Sequence, residues 1–98
     1  MDVAMIRSKV RAEGVAEVEA AIQKMVAALE VAQPEGLRYA SLLVGGDTFI
    51  ALRQLEDAAR NPLEGLPEYE QLLEVVEGVR DTPPAVEMWS VTGAYRLF

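Results

Sequence analysis

The stretch SLLVGGDTFIAL, residues 41–52, narrows the possible folds more than any other part of the chain. Two apolar runs flank Gly45-Gly46-Asp47. Glycines can take the positive φ angles that a short hairpin loop demands, so the stretch reads as two antiparallel strands joined by a tight turn. Strand two is expected over Leu37 to Val44 and strand three over Thr48 to Leu55. A hairpin placed here has to be reconciled with the helical character of the segments on either side.

Residues 4–12 alternate, with Ile6, Ser8, Val10 and Ala12 on one side and Arg7, Lys9 and Arg11 on the other. Period two with one apolar side predicts a first strand. After Glu13-Gly14, the residues Val15, Val18, Ile22, Met25 and Leu29 recur at three- and four-residue steps, which is the stripe of an amphipathic helix. Glu17 and Glu19 suit its positive end, and Pro34 and Gly36 stop it. Past strand three, Glu56 to Leu66 is less regular, although Asn61-Pro62 can cap and start a short helical turn. Pro67 opens a second helix with the stripe Tyr69, Leu72, Leu73, Val76 and Val79, ended by Thr82-Pro83-Pro84. Residues 86–96 return to strand character through β-branched and aromatic residues.

The order is β-α-β-β-α-β. It explains the hairpin, which is the central β-β of a ferredoxin-like α+β fold. Each flanking arm uses a helix as its crossover. The expected architecture is one domain, residues 1–98, with a four-stranded antiparallel sheet and two helices on one face. The other face is left to a partner or a ligand. So short a chain buries a modest fraction of its surface and gains stability by oligomerising.

Composition removes several chemistries. The chain has no Cys and no His, which excludes disulfides, thiolate metal sites and the commonest general base. Glu70, Glu74 and Glu77 share a helical face, but without a converging second element they read as a solvated acidic surface, so no metal is expected. The formal charge of −7 repels phosphate backbones. No apolar run is long enough to cross a membrane, and the N-terminus lacks a signal-peptide core. A cytoplasmic protein with no nucleic-acid or membrane partner is expected. If the apolar side of strand one faces the helices, Arg7, Lys9 and Arg11 lie on the open face. Strand three adds Phe49 and Arg53 there if Ile50 and Leu52 face the helices. One aromatic and a basic patch are a weak signal for RNA stacking. A regulatory amino-acid-binding domain would place its ligand loop at residues 12–22, where Gly14 is equally well explained as a turn residue. The third option is a dimer packed sheet against sheet.

Residues 48–76 carry a resemblance that bears on that option. Phe49 on strand three, the acidic Ala-rich turn Glu56-Asp57-Ala58-Ala59 and the helix start Pro67-Glu68-Tyr69 make the stretch similar to the dimeric α/β-barrel superfamily, specifically its antibiotic-biosynthesis-monooxygenase-like members. The resemblance implies a homodimer through the open sheet face, with a small pocket between sheet and helices in each subunit. It also implies oxidation of an aromatic or polyketide-like substrate by molecular oxygen with no metal or flavin, so no cofactor is expected. The alternative is a non-catalytic homodimer that binds a ligand or acts as a scaffold. Many members carry a His shortly before the "PEY" start; here that position falls near Leu63.

Such a pocket needs apolar walls and a few hydroxyl tips. The candidates are Ser8, Tyr39, Ser41, Tyr69 and Trp89. Each has a plainer role available. Trp89 suits a core or a dimer interface, and Tyr69 suits core packing on its helix stripe. Tyr39 lies on a strand apolar on both sides, which fits a sheet covered on both faces. Arg7, Lys9 and Arg11 are either an anion site or interface cations paired with carboxylates, Glu87 on the adjacent last strand being one.

Overall fold

The computed structural model describes residues 2–96. The elements are β1 (Asp2–Lys9), a 3-10 turn (Ala12–Gly14), α1 (Val15–Ala32), β2 (Leu37–Val44), β3 (Thr48–Leu55), α2 (Pro67–Val79) and β4 (Ala85–Ser90). The strands form one antiparallel sheet in the order β2-β3-β1-β4. This is the ferredoxin-like α+β arrangement, with α1 and α2 on the same face.

The hairpin closes as its glycines require. Gly45 and Gly46 have φ of 64° and 79°, and Val44 pairs with Thr48 across the three-residue loop. At the other end Gly36, with φ of 79°, accepts a hydrogen bond from the Glu56 amide at 2.8 Å and carries the ladder one step further.

Two strand boundaries differ from the sequence reading. β1 leaves the sheet after Lys9. The Val10 amide donates to Asp47 and the Arg11 amide to Val79, both at 2.9 Å, so the chain turns from β3 toward the end of α2. Arg11 is therefore off the sheet. β4 stops at Ser90, opposite Asp2. Residues 91–96 are not strand.

The helix stripes pack as their periodicity predicts except at Leu73, which is 51 % exposed while Val75 packs against the core in its place. Val18, Met25 and Leu72 are buried with Val10, Phe49 and Leu63, and Val15, Ile22, Leu29, Tyr69, Val76 and Val79 pack around them. A side chain as fully buried as Met25 contributes about 1.5–3 kcal/mol. Gly14 brings the start of α1 against the end of α2 so closely that a Cβ would sit 2.5 Å from the Cβ of Val79. Its φ of −95° is open to any residue, so the constraint is space and not backbone conformation. The irregular segment folds through Asn61, whose side-chain oxygen accepts the Leu63 amide at 3.0 Å. That cap turns Leu63 inward, to 1 % exposure.

Pairing fixes which residues share a face. Ala4, Ile6 and Ser8 of β1 line up with Phe49, Ala51 and Arg53 of β3 on the helix side. Arg7 lines up with Ile50 and Met5 with Leu52 on the outward side. The expectation that Ile50 and Leu52 face the helices is thus reversed. Both faces of β3 are rich in apolar residues, so hydrophobicity alone does not decide its facing.

Candidate functional site

Between the sheet and the two helices lies a cavity of about 360 Å³. Its walls are mostly apolar: Ile6, Val18, Phe49, Leu63 and Leu72 among them. The volume is at the lower end of the range for small-molecule pockets. Its rim includes Leu73, Glu77, Arg80 and Pro84, so it opens toward the end of α2 and the start of β4. Arg80 is held at that rim by Glu77, whose carboxylate accepts the Arg80 Nε at 2.9 Å.

Four of the pocket candidates come together here: Ser8, Tyr39, Ser41 and Tyr69 all line the cavity. β2 delivers Tyr39 and Ser41 from alternate positions, β1 delivers Ser8, and the first turn of α2 delivers Tyr69. Burial pushes the Tyr39 phenol up from its usual pKa, a hydrogen bond with Ser41 partly offsets this, and Tyr69 adds to the rise. Tyr39 therefore stays protonated at neutral pH and can donate a hydrogen bond into the cavity.

Trp89 is not part of this wall. It pairs with Val3 on the outward face, and its indole N–H donates to Glu87 at 3.0 Å. The β4 register decides this: Val86 and Met88 share the face of Ile6 and Ala4, so the residues between them, Glu87 and Trp89, point the other way. Glu87 is consequently engaged by Trp89. The cations also find other neighbours than Glu87. Lys9 lies 3.9 Å from Asp47, and Arg11 pairs with Glu13 at 3.1 Å and Asp81 at 2.9 Å. Arg7 is exposed on the outward face, opposite Ile50 and Ala85.

The sequence reading put Phe49 and Arg53 on the open face, and both are on the helix side; Arg53 is the more consequential. It sits on the cavity wall directly across the ladder from Tyr39. Its Nε is buried and has no hydrogen-bond partner among the described residues. Hairpin register is the signal that could have found it, since a three-residue loop pairing Val44 with Thr48 puts Tyr39 and Arg53 on one face. Leu63, the position where the resemblance leads one to look for His, is on the wall too, as a buried apolar group. Among the described residues no cluster of acidic side chains could hold a metal, and no helix is long and apolar enough to cross a membrane.

No protein-family model matches this sequence, and comparison with curated proteins gives no match either. Solved structures do match. A candidate antibiotic biosynthesis monooxygenase from Deinococcus radiodurans superposes with a TM-score of 0.69 at 15% identity, over 100% of this chain and 99% of that one. The fold is that of the antibiotic biosynthesis monooxygenase-like proteins. A protein of unknown function from Nitrosomonas europaea matches with a TM-score of 0.70 at 19% identity, over 96% of this chain and 91% of that one. A monooxygenase from the gene ActVA-Orf6 of Streptomyces coelicolor, in complex with the ligand nanaomycin D, matches with a TM-score of 0.63 at 17% identity, covering 96% and 89% of the two chains. At these identities the likeness concerns the fold and not the reaction.

Proposed function

We propose that this protein is a cofactor-independent monooxygenase, or a related small-molecule enzyme, acting on an aromatic or polyketide-like substrate. The observation that carries the reading is the apolar cavity with the hydroxyl groups of Tyr39, Ser41 and Tyr69 on its wall. An activated methylene of such a substrate reacts with oxygen to give a carbonyl and water, and the substrate supplies every electron. The protein's part is to keep water away, hold the ring system and stabilise the substrate anion that reacts with oxygen. Leu63, Leu72 and Phe49 serve the first task, and the protonated Tyr39 serves the last. The ligand complex of the Streptomyces coelicolor structure supports a small-molecule role for this fold.

We further propose that the outward sheet face joins two copies of the chain. That face carries Leu42, Val44 and Trp89, all more than 40 % exposed at 47 %, 49 % and 42 %, beside Ile50 and Leu52. So much apolar surface on a sheet face is expected where a partner covers it.

Oxygen uptake with a hydroxylated anthrone, without added metal or flavin, tests the enzyme reading. Uptake above the protein-free rate, falling at least tenfold in the cavity-filling variant Ala51→Phe, is expected. Uptake equal to the protein-free rate overturns it. A second reading is a non-catalytic homodimer that binds a small ligand, favoured by the buried Leu63 and by the absence of any His in the chain. That reading would stand if the anthrone bound without reacting.

A further inference from the structure

The least expected group on the cavity wall is a half-buried cation. Arg53 lies on the helix-covered side of a central strand, between the cavity and a shallower hollow lined by Asn61, Glu64 and Glu70. Its ladder neighbours on that face are Tyr39 and Ala4. No ion pair to Arg53 forms among the described residues, and its buried Nε has no acceptor. A guanidinium placed this way bears the cost of partial desolvation without the compensation that a carboxylate would give. Nothing in the packing requires it: the other helix-side residues of β3 are Phe49, Ala51 and Leu55.

We propose that Arg53 anchors the ligand of the cavity, and that the ligand is an aromatic molecule bearing an anionic oxygen, a phenolate or a carboxylate. The inference rests on the small-molecule reading above and adds the charge of what binds. Arg53 offers a planar fork of donors to the anionic oxygen. Tyr39, its direct partner across the ladder, donates to the same oxygen or to one beside it. The apolar walls then take the rings. Under the oxygenase reading, the same pair stabilises the phenolate or enolate from which oxygen draws electrons.

The test uses two probes of one shape, naphthalene-2-carboxylate and naphthalene-2-carboxamide, titrated calorimetrically into the purified protein. The carboxylate is expected to bind about tenfold tighter than the amide. In Arg53→Gln the ratio is expected to fall to about one. Equal affinity of the two probes for the native protein overturns the anchor and leaves the cavity reading intact. A preference that survives in Arg53→Gln overturns the anchor as well, since another cation would then be responsible. Failure of both probes to bind overturns the cavity reading and the anchor together. Should Arg53→Gln not fold, Arg53→Lys decides, because it keeps the charge and loses the fork. A ratio reduced severalfold supports the anchor, and an unchanged ratio overturns it.

Discussion

The two faces of the sheet are built on opposite plans. Under the helices, the central rows mix small or polar-tipped residues, Ser8, Ser41, Ala51, Tyr39 and Arg53, with the apolar Ile6 and Phe49. On the outward side the same strands carry Leu42, Ile50 and Leu52, together with Val3 and Met5, which are already buried in the single chain. Small side chains beneath a helical roof leave space, and that space is the cavity. Bulky ones on the outward face leave none and present a surface suited to a flat partner. The helices supply most of the apolar material of the interior, through Val18, Met25 and Leu72.

A truncation on each side sharpens this contrast most. Met25→Ala under the helices is expected to cost about 2–5 kcal/mol. The loss should be independent of protein concentration, as read by urea denaturation at two concentrations. Leu42→Glu on the outward face should fold, because the side chain is half exposed in the single chain. It is expected to cost association about 3 kcal/mol, roughly a hundredfold in the dimer dissociation constant, by sedimentation. A native chain that sediments as a monomer at micromolar concentration would remove the outward face's proposed role.

A smaller effect tests the helical roof. Gly14→Ala drives a methyl into Val79 and is expected to lower stability by about 1–3 kcal/mol. Part of that should return in the double variant with Val79→Gly, which removes the Cβ and both Cγ atoms that the methyl meets, whereas additive losses would show that the close approach is not the cause. The smallest expected effect concerns pH. Tyr39 has a folded-state pKa raised above its usual 10.0. The unfolded chain therefore releases this proton first, and the phenol's contribution to stability, full below pH 10, declines as pH rises from there through the folded pKa. Tyr39→Phe should flatten the alkaline limb of the stability profile, and an unchanged limb would place the titration elsewhere.

Where the chain was legible, one local signal had one meaning. Gly45-Gly46 admits little but a turn, and the stripes Val15 to Leu29 and Tyr69 to Val79 admit little but helices with a single buried side. Asn61-Pro62 likewise announced its turn. Legibility failed where both readings bury apolar surface. β3 has Ile50 and Leu52 on one face and Phe49 and Ala51 on the other, and the bulkier pair proved to be outward. Trp89 was open in the same way, because a large aromatic suits a pocket wall and an interface, and only the β4 register puts it on the outward face. Arg53 was misplaced by the same step, since its facing, with that of Phe49, followed from the facing given to Ile50 and Leu52.

The hairpin loop has a consequence far from its own position. Tyr39 and Arg53 share a face only because the loop between Val44 and Thr48 holds an odd number of residues. Insert or delete one, with no bulge to absorb it, and Tyr39 comes to lie across from a neighbour of Arg53, so the phenol and the guanidinium part to opposite sides of the sheet. The charge of the interior is in this sense a matter of parity, set at a solvent-exposed tip that never touches a ligand. Chains of this fold with the same interior pairing would be recognised by counting across the turn and not by matching residues along the strands.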